Sequence, residues 1–160
     1  MSVSIAVAFE GIEGAEAALG RLDPLQPGEL LDRLGRMIQE QTRRRIIQEK
    51  TAPDGKAWKP NLTRTSILLR SGTLARSIDY AVAGEAAIVG SGLVYAGIHQ
   101  HGGTIRAKNK KALMFRVGNQ FVTRKSVTIP ARPYLGISSE NAEDILDATK
   151  VFLRKRLGGG

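Results

Sequence analysis

The sequence predicts an α+β fold: a mostly antiparallel sheet packed by a long helix in the N-terminal half and a second helix at the C-terminus. Three observations carry this. The opening residues alternate, with Val3, Ile5, Val7 and Phe9 on one side and Ser4, Ala6 and Ala8 on the other, the period of a half-buried strand. Two segments, one from Gly28 to about Lys50 and one after Ser139, repeat apolar residues near the helical period. Between them short apolar runs are separated by glycine-containing pairs, the pattern of antiparallel hairpins.

Taken in order, the opening strand is followed by an Ala-rich segment suited to a brief helix, and Pro24 and Pro27 then punctuate the chain. The long helix carries the stripe Leu30, Leu31, Leu34, Met37, Ile38, Ile46 and Ile47. Arg43, Arg44 and Arg45 fall in its last turns, where cations suit the helix dipole. Three successive helical residues point in three directions, so the triplet reads as a solvated face with one arm on a partner. Thr51 to Thr65 is a loop with a turn at Asp54-Gly55, built around the single Trp58. Trp58 is expected to anchor it on its own core, with a neighbour's surface as the alternative.

Ser71 to Ile78 suits one or two helical turns capped by Ser71 or Thr73. Tyr80 to Ala83 and Ala86 to Val89 form a hairpin about Gly84-Glu85, and residues 91–103 make a short helical or irregular turn ending on two glycines. A strand from Thr104 to Ala107 leads to a polar tip, Lys108 to Lys111. Ala112 to Val117 and Gln120 to Ile129 then flank Gly118-Asn119, where Gly in first place favours a type II′ turn. Phe115 and Phe121 read as core residues of these strands, and Pro130 ends the second one. The last helix is capped by Ser138 or Ser139, with Glu140, Glu143 and Asp144 at its start and Arg154, Lys155 and Arg156 at its end. Its expected inner face is Ala142, Ile145, Leu146, Thr149, Leu153 and Leu157. Residues 1–157 are expected to form one domain and 158–160 a flexible Gly tail.

The net charge of +9 is local. From Glu85 to Glu140 no carboxylate intervenes, while Arg106, Lys108, Lys110, Lys111, Arg116, Arg124, Lys125 and Arg132 all fall in that stretch. Such a segment suits an anionic partner, either nucleic acid or an acidic protein face. As nucleic-acid readout it lacks aromatic interleaving and a preceding helix-turn-helix; lysines that keep a sheet edge from aggregating are the plain alternative.

Catalytic classes find little support. The chain has no Cys, which removes thiol catalysis and Cys-ligated metals. The phosphate-binding pattern G-x-x-x-x-G-K-[ST] and the elbow G-x-S-x-G are absent. The two histidines, His99 and His101, have no nearby acid to complete a metal site, so no enzyme activity and no cofactor are expected. No stretch approaches the roughly 18 apolar residues a membrane span needs, and the N-terminus lacks the basic start of a signal peptide.

Three segments resemble the phage virion morphogenesis family, the tail completion proteins of Mu-like phages and their relatives. They are Pro53 to Pro60, followed by Ile67 to Ile78; Val89 to Ser91 leading to Tyr95 through Gly103; and Ile129 to Ile137 entering the last helix. The resemblance implies a non-enzymatic protein of the virion tail or neck, assembled in the host cytoplasm. It would finish the tail or join it to the head, as a ring, six-fold in related proteins, meeting the tail tube protein and a head–tail connector or stopper protein. The motif positions Trp58, Gly72, Leu74, Tyr95, His99, Gln100, Gly102, Gly103, Pro130, Arg132 and Pro133 are then expected in structural or interface roles. Arg132, held between two prolines, suits a carboxylate or phosphate clamp within the chain or across a ring contact. Arg106, Lys108, Lys110, Lys111, Arg124 and Lys125 would face either the DNA channel, touching the genome without sequence preference, or an acidic ring above or below it.

Overall fold

A computed structural model describes residues 2–8, 27–61, 65–108 and 111–156. The Ala-rich segment, Lys110, Leu157 and the Gly tail lie outside the described residues. The element order is β1 (Val3–Ala8), α1 (Pro27–Arg44), α2 (Thr73–Arg76), β2 (Ile78–Ala83), β3 (Ala86–Ser91) and α3 (Ala96–His101). It continues through β4 (Gly103–Arg106), β5 (Leu113–Val117), β6 (Gln120–Arg124), β7 (Ser126–Ile129) and α4 (Ser139–Arg156). The α+β class is as the sequence predicts. All pairings are antiparallel, but the strands divide into a three-stranded sheet and two two-stranded ribbons.

In the three-stranded sheet β3 is central, between β1 and β2. Its register aligns Ile5, Val89 and Tyr80 across one face, with Val3, Ser91 and Ile78 in the next row. The alternation read from the first strand thus becomes a single buried face, and the opposite face, carrying Ser4, Ala6, Asp79 and Ala81, is exposed. Helix α1 covers the buried face with Leu31, Leu34 and Ile38, each at most 1% exposed. Gly35 makes the approach possible, since a Cβ there would lie 2.5 Å from the Tyr80 ring. Because β2 is an edge strand, its unpaired carbonyls need partners. Gln39 and Arg43 both donate to the Ile78 carbonyl, at 2.8 and 2.9 Å.

Two expectations change. At Arg45 the α1 helix passes into a π-helical turn, Arg45–Glu49, closed by the Lys50 amide donating to the Arg45 carbonyl at 3.0 Å. In the widened turn Arg45 and Ile46 face inward and Ile47 is left 46% exposed, so Ile47 is not part of the apolar stripe. On the C-terminal helix Ile145, Thr149 and Leu153 of the expected inner face are half-buried, but the buried positions differ. Asn141 and Phe152 are buried, whereas Ala142 is exposed and Leu146 is 54% exposed. The reason is its partner: Phe152 packs with Leu30 and Leu34 of α1, and Asn141 is turned inward by Arg45. Ser138 Oγ caps this helix by accepting from the Asn141 amide at 3.1 Å.

Candidate interaction surface

Most of the motif residues form an internal lock rather than a surface. The loop after α1 folds back through Gly55, at φ 81°, and the Asp54 carboxylate accepts the Lys56 amide. This brings Trp58 into the core, 6% exposed, with Nε1 donating to the Pro133 carbonyl at 2.9 Å. Arg132 is 6% exposed and donates to the carbonyls of Lys59 and Pro60, at 2.9 and 3.2 Å. Its partners are backbone groups of the same chain, not a carboxylate or phosphate. Burial also holds its pKa below the usual guanidinium value.

From α3, Gln100 works as a two-sided clasp. Its amide oxygen accepts from the Tyr134 and Leu135 amides, and its amide nitrogen donates to the Leu135 carbonyl. Tyr134, fully buried, donates its hydroxyl to the Ala96 carbonyl at 3.1 Å. Gly102 ends α3 at φ 72° and ψ −177°, a region essentially closed to other residues. A Cβ there would stand 2.7 Å from the Ala131 nitrogen. Gly103 follows at φ 150°, and Gly72, at φ 68°, opens α2, whose Leu74 is buried in the core. Pro130 and Pro133 are half-buried on either side of Arg132.

Arg45, expected only as part of a solvated triplet, is the centre of this lock. At 2% exposure it donates to the carbonyls of Tyr134 and Gly136 and to Asn141 Oδ1, at 3.0, 2.9 and 2.6 Å, with a Glu49 carboxylate 3.8 Å away. The signal was its spacing, seven residues beyond Ile38 on the buried stripe. Two arms of the triplet therefore engage its own chain, Arg45 at the segment entering the last helix and Arg43 at the Ile78 carbonyl, and Arg44 alone is exposed.

The histidines separate. His101 is exposed, whereas His99 is half-buried, edge-on to Tyr95 with ring centroids 5.8 Å apart. Its buried Nδ1 has no hydrogen-bond partner, and burial, with the nearby Arg132 charge, pushes its pKa below the ordinary value. Among the described residues no cluster of three or more His, Cys, Asp or Glu could hold a metal ion. None of the described helices is long and apolar enough to cross a membrane.

The surface that remains is the double ribbon β4–β7 and β5–β6. Strand β4 pairs with β7, then the Ala107 amide bonds the Lys125 carbonyl, and the pairing resumes where Leu113 faces Arg124. Only Lys125 separates β6 from β7, so the two ribbons are joined end to end. Arg106, Lys108, Lys111, Arg124 and Lys125 gather at this junction, all exposed and none in a salt bridge with any described residue. Lys108 and Lys111 therefore lie at the root of the β5–β6 hairpin, not at a tip. Its tip is Gly118-Asn119, with Gly118 at φ 60° and Asn119 not at positive φ, as a II′ turn requires.

The hairpin has two faces. Leu113, Phe115, Val117 and Val122 are half-buried, and the first three, with Ile105, Val127 and Ile129, wall a cleft of about 780 Å³ opposite Leu68, Leu74, Tyr95 and His99. The other face carries Met114, Arg116, Phe121 and Thr123. Phe121 and Met114 are each 74% exposed, so Phe121 is not a core residue. The turn fixes this: the register places Phe121 across from Arg116 and Val122 across from Phe115, and Arg116 takes the solvent face.

Comparison with known proteins bears on the whole chain. The sequence pattern of the phage virion morphogenesis family matches residues 7–154. A protein of Escherichia phage Mu named "Putative capsid assembly protein G" is 36% identical over 92 residues, covering 58% of this chain and 47% of its own length. The chain thus aligns with about half the length of that curated relative. No solved structure matches.

Proposed function

The chain belongs to the phage virion morphogenesis family, and from that premise we propose that it completes or terminates the phage tail, or joins it to the head–neck connector, as a non-enzymatic ring around the path of the DNA. The protein acts in the virion tail or neck after assembly in the host cytoplasm. Its partners are other copies of itself, the tail tube protein and a connector or stopper protein. The observation that carries this reading is the cationic junction at the root of the hairpin, five exposed Lys and Arg side chains with no carboxylate partner among the described residues.

An uncompensated cluster on a ribbon attracts polyanions by charge and offers no helix for the major groove. It suits non-specific contact with a passing genome, or an acidic ring above or below. The internal lock supports the same reading, because it ties α3, the Trp58 loop and the approach to α4 into one body from which the ribbon is displayed.

Native mass measurement of the purified protein, alone and with isolated tail tubes, tests the proposal. The expected result is a closed oligomer, alone or on the tube. A strict monomer that never adds to tubes contradicts it, and tight, sequence-selective duplex binding by the isolated protein would favour a regulatory nucleic-acid-binding module instead.

A further inference from the structure

We propose that neighbouring copies of this chain meet head to tail, the outer face of one β5–β6 hairpin docking on the outer face of α4 of the next copy. This rests on the reading of the protein as a ring-forming morphogenesis factor and assigns the two surfaces that make the ring contact. On the hairpin, Met114 and Phe121, each 74% exposed, flank Arg116. The Arg116 guanidinium donates to the Gly118 carbonyl and Asn119 Oδ1 within its own turn and pairs with no carboxylate among the described residues. Large apolar side chains displayed together on a two-stranded ribbon mark a site to be covered, and such a ribbon gains stability when it packs on another element.

Helix α4 supplies a complementary surface. With Asn141, Ile145 and Phe152 turned toward the body of the protein, helical geometry places Glu143, Leu146 and Asp147 on the opposite side. Leu146 is 54% exposed, and both flanking carboxylates face solvent. Glu143 has no basic partner among the described residues, and Asp147 has only Lys150, at 3.0 Å. One surface therefore presents two apolar side chains around a cation, and the other an apolar side chain beside two anions. Both belong to the same chain and both are exposed within it, so the match is available only between copies.

A contact between two different patches is heterologous, and it closes into a ring when the rotation per copy divides a full turn. The charge complementarity points to a second copy over DNA, which the Glu143 and Asp147 carboxylates would repel. The cationic junction at the hairpin root stays free for an anionic partner in this arrangement.

Because the chain has no cysteine, the contact can be mapped by disulfide formation. Phe121→Cys and Leu146→Cys are made singly, since both positions are exposed and tolerate change without unfolding, which thermal melting checks. Under mild oxidation a mixture of the two variants is expected to give cross-linked dimers, and the double variant a ladder of higher species. In the cysteine-free background Arg116→Glu is expected to weaken self-association at least about tenfold, and adding Glu143→Arg with Asp147→Arg to restore it. Cross-linking of Phe121→Cys only to itself would overturn the proposal, as would a mixture that stays uncross-linked while native mass measurement shows an oligomer. That second outcome leaves the ring reading standing. A strict monomer with or without tail tubes would overturn both.

Discussion

Arg45 is the residue on which the fold most depends. Its three hydrogen bonds tie the end of α1 to the segment entering α4, and they satisfy two carbonyls and an amide oxygen that have little access to water. Replacing it by Met leaves those acceptors buried without donors, a loss on the order of 3 kcal/mol. Thermal unfolding should then shift down by roughly 6 to 12 °C in a chain of this size. Arg45→Lys should not rescue the loss, because a single ammonium cannot reproduce the planar fork; an unchanged melting temperature in either variant would refute the role. Gly102→Ala should be as damaging, since it combines a forbidden backbone angle with the clash at Ala131.

His99 gives a pH signature. Burial and the Arg132 charge disfavour its protonated form, so the folded protein binds fewer protons here than the unfolded chain. The stability linked to the neutral ring is complete above the unfolded value of 6.5 and is lost as pH falls through the lower folded value. Unfolding free energy should therefore decline as pH drops below about 6.5, and His99→Gln should flatten that decline. Equal slopes in the two proteins would argue against it.

At the scale of elements, periodicity made most of the secondary structure legible, and partnership decided the rest. The alternation from Val3 to Val7 and the pair Gly118-Asn119 each fix a local geometry, and the strands and turn follow. On α4 the apolar count places Ile145 and Leu153 correctly but also favours Leu146, whereas the burying element, α1, offers Leu30 and Leu34 to Phe152 and Arg45 to Asn141. A buried polar pair has no apolar periodicity to betray it. The two-residue turn could have revealed that Phe121 shares a face with Arg116, but only after the hairpin register was given priority over hydrophobicity.

The ribbon root carries its own prediction. Replacing Arg106, Lys108, Lys111, Arg124 and Lys125 by Gln should leave the melting temperature within a few degrees, since none of these exposed side chains pairs with a described carboxylate. The same change should weaken binding to mixed-sequence DNA and lower its salt dependence. Unaltered DNA retention would move the role of this cluster to an acidic protein partner, and a misfolded variant would make the cluster part of the scaffold.

At the scale of the whole molecule, the basic excess seen in the sequence divides three ways. Arg132 is spent inside the protein on backbone carbonyls, Arg116 sits on the apolar outer face of the hairpin, and the remaining described cations of the segment cluster at its root. A near-neutral body thus displays one cationic arm, while the first half of α4 is acidic on its exposed side. That segregation is the physical basis for reading the protein as an assembly component. The family match places it in virion morphogenesis, and the proposed ring is where the arm and the helix would be used.

The most direct measurement is electron microscopy of particles made by a phage whose copy of this gene is inactivated, with the wild-type gene supplied in trans as control. The result expected is separate heads and unfinished or unjoined tails, restored to complete virions by the supplied gene. Normal, infectious particles in its absence would contradict a role in completing or joining the tail.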